Sequence, residues 1–173
     1  AYSVVLSVPG IDRIFLHNAG ANHSFRTSDI PEESLENVSL FHFGYPPLMQ
    51  SMFENDGIEL VTMMKKMKNR GIATSMDMAA VDPESETGHA NWKRILEQVL
   101  PYVDLFVPSV EELCFMLDFE RFEQWKERAQ GNDITEILDV ETDIKPLAKQ
   151  CMDMGTKVLL IKCGAPGIYY CTA

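Results

Sequence analysis

Several residues that could bind an anion or a metal ion follow short apolar stretches of this sequence. Asp77 follows one stretch, Ser109 and Glu112 follow the next, and Lys162 and Gly164 follow a third. Their carboxylates, hydroxyl, ammonium group and free backbone suit a phosphate with its cation, because Mg²⁺ in proteins takes one or two carboxylates plus water and substrate phosphates. We expect one site, provided that the fold brings the ends of these stretches together.

Each of these residues also has a purely structural interpretation. Ser109 and Glu112 have the spacing of a capping box, in which both side chains bond backbone N–H groups at a helix start. Asp77 is also typical of a turn or helix cap, and Lys162 of a solvated strand end. Gly164 begins a Gly-x-x-Gly pattern, which is weak evidence for a phosphate site. Only a shared position in the fold would favour function.

Short apolar strands alternate with amphipathic helices along most of the chain. A hairpin is predicted at the start, turning at Pro9-Gly10-Ile11-Asp12. The strands that follow are predicted at residues 39–43, 72–77, 104–107 and 157–162, with a last strand after the Gly164 turn. This order predicts a parallel sheet with helices on both faces. Ligands of such sheets bind outside the carboxyl ends of the strands, where the residues above are found.

Two further segments between the strands carry specific predictions. Residues 58–69 are predicted as a helix with Ile58, Val61, Met64 and Met67 on its buried stripe. Residues 119–141 are highly charged and lose any clear period after about Gln130. They are predicted as a partly helical, solvent-exposed insertion.

Composition excludes some classes of partner. The 173 residues carry a net charge of −11, which argues against nucleic acid or an anionic membrane, since both need clustered Lys and Arg. The four cysteines lack Cys-x-x-Cys spacing, so we expect reduced thiols and a cytoplasmic protein. No apolar run approaches membrane-spanning length. The chain begins without Met, and both ends are strand-like, which predicts a piece of a longer protein.

The order of these motifs resembles the ribokinase-like, or PfkB, carbohydrate kinases over nearly the whole chain. "WKRILEQVLPYVDLFVPSVEELCFML" and "GTKVLLIKCGAPGIYY" are similar to the family's Pro-Asn-x-x-Glu and Lys-x-Gly-x-x-Gly segments. "IDRIFLHNAGANHSF", "LFHFGYPPL" and "GIATSMD" resemble its lid strands and two of its strand ends. The resemblance implies a three-layer αβα sandwich with a mostly parallel sheet. Residues 1–19 would form a small β-hairpin lid, and residues 20–173 an incomplete nucleotide- and sugar-binding domain.

The resemblance also implies a reaction, in which the γ-phosphoryl group of ATP passes to a hydroxymethyl group of a small carbohydrate. It places ATP beside Lys162 and Gly164, and the sugar beside Asn18 and Tyr45. The lid would close over the sugar and exclude water, and in this family it often makes a homodimer contact.

The Mg²⁺ ion would be held near Glu112, Ser109 and Asp77, although Ser109 stands where the family commonly has Asn. A serine donates one hydrogen bond instead of the amide's two.

Two family elements are missing from these 173 residues. They are the N-terminal strand with its Gly-Gly sugar-binding element, and the Gly-Ala-Gly-Asp motif that supplies an anion hole and the catalytic aspartate. Because positioning and charge stabilisation dominate phosphoryl transfer, we expect this segment alone to be inactive. Two alternatives stay open, which are a non-catalytic sugar- or nucleotide-binding regulatory protein on the same scaffold, and a nucleoside kinase.

Overall fold

The computed structural model describes residues 1–9 and 13–173, whose strands form two separate sheets. The smaller sheet is an antiparallel pair of β1 (Tyr2–Leu6) and β2 (Ile14–Asn18). The predicted hairpin is therefore present, while turn residues 10–12 lie outside the described part of the chain.

The larger sheet has five strands in the order β3-β4-β5-β6-β7. The first four are parallel and β7 is antiparallel to β6. Their bounds are β3 Leu40–Gly44, β4 Ala73–Asp77, β5 Leu105–Phe106, β6 Val158–Lys162 and β7 Ile168–Thr172. Fold class and hairpin thus agree with the sequence-based prediction of an α/β protein with a mostly parallel sheet.

The helices connect successive strands of this sheet. They are α1 Gln50–Phe53, α2 Ile58–Asn69, α3 Trp92–Val99, α4 Val110–Leu117, α5 Phe119–Ala129 and α6 Lys145–Asp153. The longer ones contact one another in sequence, α2 with α3, α3 with α4 and α4 with α6. None of the helices in residues 1–9 and 13–173 is long and apolar enough to cross a membrane.

One face of the larger sheet carries nearly all of its buried side chains. Because neighbouring residues of a strand point to opposite faces, the pairing register assigns one face to the following buried residues: Phe43, Thr74, Met76, Phe106, Leu159 and Ile161. The apolar members of this set join Leu60, Met63 and Met64 of α2 and Leu96 of α3 in one core. We infer that the helices cover this face.

The opposite face of the sheet is open among the described residues. Leu40, Ile168 and Tyr170 on this face are 55, 64 and 70% exposed, and Leu105 and Leu160 are only half-buried. Ser75 is its one buried residue within the described strands. The described residues therefore supply one of the two helical layers that the family resemblance implies.

A network of ion pairs ties the strands together at their amino ends. Asp104, just before β5, accepts hydrogen bonds from Lys68 Nζ at 2.6 Å and from the Thr74 N–H at 2.9 Å, and Lys157 Nζ lies 2.8 Å away. Partial burial disfavours the carboxylate. The hydrogen bonds from Lys157, Lys68 and Thr74 outweigh it and hold the pKa of Asp104 well below its ordinary value.

The prediction of a partly helical, solvent-exposed insertion at residues 119–141 holds only in part, because most of the segment is exposed but four of its residues are buried. The segment contains α5, whose Trp125 is 1% exposed and donates from Nε1 to the buried Asp143 Oδ1 at 3.1 Å. Arg128 pairs with the same carboxylate at 3.3 Å. Burial opposes the ionisation of Asp143, but bonds from the Asp139 N–H, Arg128 and Trp125 lower its pKa overall. The segment is therefore anchored to the residues just before α6.

Candidate functional site

The carboxyl ends of the parallel strands form a continuous rim of the larger sheet. Gly44 at the end of β3 is paired with Asp77 at the end of β4. Ser109, just after β5, forms a parallel bridge with Lys162 at the end of β6, and the Lys162 N–H donates to Pro108 O at 2.9 Å. Residues that are far apart in the sequence thus lie along one edge.

The centre of this rim holds an ion pair. Lys162 Nζ donates to Asp77 Oδ1 at 2.7 Å, and the Asp77 carboxylate is largely shielded from solvent. Asp77 Oδ1 also accepts the N–H of Met78 at 2.8 Å. The acid and the base that were predicted separately from the sequence are direct partners.

Ser109 and Glu112 form the capping box that begins α4. Ser109 Oγ accepts the Glu112 N–H at 3.2 Å, and Glu112 Oε2 accepts the Ser109 N–H at 2.7 Å. The structural interpretation of this motif therefore holds. It does not exclude a second role, because the cap uses one of the two carboxylate oxygens of Glu112, and each oxygen has two lone pairs.

Tyr45 lies at the same rim in an unusual backbone conformation. Its φ of +67° is left-handed, a region that costs a residue with a bulky side chain energy and is typical of functional sites. Its N–H donates to Asp77 O at 3.1 Å, and the side chain is half exposed. The backbone of Tyr45 therefore adjoins the Asp77–Lys162 pair.

Gly164 opens the tight turn between β6 and β7. Its φ is +65°, and the turn is closed by the Cys163 N–H donating to Gly167 O at 2.8 Å and the Gly167 N–H donating to Gly164 O at 3.1 Å. Thr135, from the segment after α5, packs against Gly164. Thr135 was not among the residues predicted from the sequence, because no local pattern in a charged, aperiodic segment indicates this contact.

Asn18 belongs to the separate two-stranded sheet, at the end of β2. It shares a face of the hairpin with Val4 and Leu16, since Tyr2 pairs with Asn18 and Val4 with Leu16. Among the described residues, no hydrogen bond joins Asn18 to the sheet rim.

The rim has the donors for a cation held jointly by protein and ligand. The described residues contain no cluster of three or more His, Cys, Asp or Glu that could hold a metal alone. Asp77 and Glu112 fit the one or two carboxylates that Mg²⁺ needs when phosphate oxygens and water complete its shell.

Cys163, next to Lys162, does not suit nucleophilic chemistry. Burial raises the pKa of its thiol, and the hydrogen bond with the Tyr169 backbone opposes this only in part.

A shallow cleft elsewhere contains none of the predicted site residues. It lies between residues 83–93 and the end of α4, and is lined by Trp92, Phe115 and Phe119 among others. We place the candidate site at the rim because the predicted charged and polar groups converge there, at the carboxyl ends of the strands, whereas none of them lines the cleft.

Comparison with solved structures agrees with this architecture. A PfkB protein from Polaromonas sp. JS666 is 18% identical with a TM-score of 0.60, and 93% of this chain covers 46% of that one. The fructokinase of Xylella fastidiosa is 18% identical with a TM-score of 0.61, with 98% of this chain covering 47%. The ribokinase of Arabidopsis thaliana is 18% identical with a TM-score of 0.56, at 98 and 44% coverage.

The chain thus spans less than half the length of these structures, and at this identity the likeness concerns the fold. No curated protein matches the sequence. The model of the pfkB family of carbohydrate kinases, however, matches residues 2–173. On that match, which covers every strand and helix described above, this chain belongs to the pfkB family of carbohydrate kinases.

Proposed function

We propose that this chain is part of an ATP-dependent sugar kinase, which transfers the γ-phosphoryl group of ATP to a hydroxymethyl group of a small carbohydrate. The observation that carries the proposal is the Lys162–Asp77 pair, 2.7 Å apart at the carboxyl-end rim, in a chain of a carbohydrate kinase family. Open α/β sheets bind ligands at this edge, and phosphoryl transfer needs a cation and a metal-binding carboxylate there.

The residues of the rim divide into roles by their chemistry. Lys162 and the backbone of Gly164 would contact the phosphates of ATP. Asp77 and Glu112, with Ser109, would hold Mg²⁺ and its water, so that the metal neutralises charge on the phosphates. These residues bind and orient the nucleotide, and we propose that the catalytic base lies outside this segment.

The sugar would lie between the rim and the hairpin. Tyr45 at the rim and Asn18 on the hairpin would contact it, with residues 1–19 acting as a lid on the nucleotide- and sugar-binding domain of residues 20–173. Related structures support the choice of test sugars, since a fructokinase of Vibrio cholerae was solved with fructose and ADP and the Arabidopsis ribokinase with ribose and ATP.

The test compares lysines at the two ends of β6 in the full-length protein. Lys162→Met removes a cation from the candidate ATP site, and we expect the KM for ATP to rise about 10-fold or more, the usual effect of one charge-assisted hydrogen bond. Lys157→Met is the matched control, because Lys157 also pairs with an aspartate, at 2.8 Å, but at the opposite end of the sheet.

Both variants should lose less than about 1 kcal/mol of stability, since each pair is partly solvated. Steady-state kinetics with fructose and ribose and thermal unfolding provide the measurements. Equal KM values for ATP in the two variants would remove Lys162 from the nucleotide site.

A non-catalytic binding protein is the second candidate. It is favoured by the partners that Glu112 and Asp77 already have, namely the Ser109 N–H at 2.7 Å and Lys162 Nζ at 2.7 Å. Calorimetry of the full-length protein that detects Mg²⁺-dependent ATP binding, with no product from any sugar or nucleoside, would favour this candidate over either kinase.

We further propose a homodimer through the hairpin and a cytosolic location. The hairpin residues are exposed on both faces, so a second copy of the chain could bury apolar side chains such as Leu16.

The proposed location rests on the cysteines. Cys114, Cys151 and Cys163 are free and buried, and Cys171 is free and half-buried. Free thiols are typical of a reducing compartment.

A further inference from the structure

We propose that Thr135 is a positioning residue for the nucleotide site, which fills the space beside Gly164 and thereby fixes the turn that follows Lys162. The inference rests on the proposed function for its consequence in ATP binding. It gives a role to the segment of residues 130–139, which connects α5 to the region before α6.

The contact between Thr135 and Gly164 is too close for any other residue at position 164. A Cβ on Gly164 would lie 2.6 Å from Thr135 Oγ1 and 3.2 Å from its Cβ and Cγ2, well inside van der Waals contact. By contrast, a Cβ on Gly167 would have no neighbour within 4 Å, although φ at Gly167 is also positive, at +110°. Backbone conformation alone therefore explains Gly167, whereas Gly164 also accommodates Thr135.

The side chain of Thr135 is held in place by residues near it in the sequence. Thr135 is 6% exposed, and Asp133 Oδ1 accepts both its N–H at 2.8 Å and its Oγ1–H at 2.7 Å. Arg128 of α5 donates to Ile137 O at 3.1 Å. A hydroxyl fixed in this way presents a rigid surface to the turn.

The turn also fixes the position of Lys162 at the end of β6. Cys163, between Lys162 and Gly164, bonds across the turn to Gly167 O, and Lys162 Nζ reaches Asp77 at 2.7 Å. If the contact between Thr135 and Gly164 is disturbed, the turn should shift and move the Lys162 ammonium group along the rim. Since charged hydrogen bonds weaken steeply with poor geometry, ATP affinity should depend on this contact.

The experiment is a double-mutant cycle in the full-length protein. Gly164→Ala should raise the KM for ATP about 10-fold or more while the KM for the sugar changes less than about twofold, because the added Cβ displaces the turn. Adding Thr135→Ala removes the closest atom, and should lower the KM for ATP at least threefold from its value in Gly164→Ala.

Gly167→Ala is the matched control, because it introduces a Cβ at positive φ in the same turn without a clash. Thr135→Ala should give no such recovery in the Gly167→Ala background. Recovery in both backgrounds, or in neither, would overturn the proposal.

A second readout does not depend on ATP use. Exchange of the Cys163 amide, which reports the bond across the turn, should be faster in Gly164→Ala and slower again in the double variant. If the unaltered protein does not use ATP, the proposed function and the nucleotide role of Thr135 both fail. If ATP is used but the KM values and the Cys163 exchange show no coupling, the inference alone fails.

Thr135→Ala by itself covers the case in which Gly164→Ala does not fold. It should raise the KM for ATP about threefold and quicken exchange at Cys163. Its control is Thr156→Ala, which removes another buried threonine hydroxyl, bonded to Val103 O at 3.0 Å, and so has a comparable structural cost. The same KM change in Thr156→Ala would show a general loss of stability and contradict a positioning role.

Discussion

At the scale of single residues, one side chain can serve both a structural motif and a binding site. Glu112 closes the capping box of α4 through Oε2 and lies at the rim next to Ser109, which bridges to Lys162. The helix start therefore fixes the orientation of the carboxylate before any metal binds. Such preorganisation favours binding, because no rotamer freedom is lost when the ligand arrives.

Glu112→Gln separates these two roles. Glutamine can still accept the Ser109 N–H, as capping boxes allow, so the free energy of unfolding should change by less than about 1 kcal/mol. Loss of the charge should lower kcat about 10²-fold, the usual effect of removing one electrostatic contact to the reacting groups.

Kinetics and thermal unfolding of the full-length protein provide the test. Glu120→Gln is its control, since Glu120 is an acid in the first turn of α5, away from the rim. Turnover of Glu112→Gln within a few-fold of the unaltered protein would rule out a metal role.

Much of the candidate site could be predicted from the sequence, because it lies at strand ends. Strand ends are visible where apolar runs stop, and parallel topology brings them to one edge, as found for Asp77 and Lys162. Thr135 could not be predicted, since its neighbour Gly164 is distant in the chain and nothing local indicates which loop folds over which turn. The left-handed backbone of Tyr45 likewise has no signal in a residue type that normally avoids it.

At the scale of elements, ion pairs connect the amino ends of the strands, whereas the carboxyl ends are proposed to bind a ligand. β5 contains two residues, Leu105 and Phe106, at the centre of the sheet. Asp104 compensates for this short strand, because its carboxylate bonds Thr74, just inside β4, and pairs with lysines before β6 and in α2.

Asp104→Asn should therefore destabilise the protein at neutral pH by about 1–3 kcal/mol, the usual cost of hydrogen bonds to a charged group. Because the folded state lowers the pKa of Asp104 from its ordinary 3.8, this stability is complete above that value and is lost as the pH falls through the folded pKa. The difference between the two proteins should thus shrink below about pH 4.

Urea unfolding at several pH values from 7 down to 3 measures this difference. Asp153→Asn breaks an exposed pair with Lys149 within α6 and should change stability by less than about 0.5 kcal/mol. A difference for Asp104→Asn that stays constant with pH would contradict the lowered pKa.

Helices were predicted with unequal success, for physical reasons. α2 has the predicted bounds, but Ile58 of the predicted stripe is exposed, while Leu60 and Met63 are buried. The apolar residues of α2 are spread over more than one stripe of the helix, so packing decides which of them face the core. In the 119–141 segment, charge suggested exposure, yet Trp125 and Arg128 bury the Asp143 carboxylate between them. Composition does not reveal which charges find partners.

At the scale of the whole molecule, the hairpin has two faces of different character. The register places Tyr2, Val4 and Leu6 opposite Asn18, Leu16 and Ile14 on one face, which is therefore apolar over most of its length. The other face is mixed, since it carries the Ser3–His17 hydrogen bond of 2.8 Å beside the apolar Val5–Phe15 pair. An isolated two-stranded hairpin is marginal in water, so burial of the apolar face would stabilise it.

Adjacent substitutions on opposite faces test the proposed homodimer. Leu16→Lys places a charge at the centre of the apolar face and should convert a dimer to a monomer, because an unpaired charge is not tolerated in a buried contact. His17→Lys changes the opposite face and should leave the dimer intact. Light scattering of the full-length protein measures the mass of each variant, and a dimer that survives Leu16→Lys would place the contact elsewhere.

The open face of the larger sheet has a thermodynamic consequence. Side chains such as Leu40, Ile168 and Tyr170 are already hydrated in the folded chain, so unfolding these 173 residues exposes less new apolar surface than unfolding a fully covered sheet of equal length. Heat capacity rises in proportion to newly hydrated apolar area. The melting of this chain should therefore be accompanied by an unusually small heat-capacity increment, and its stability curve against temperature should be correspondingly flat.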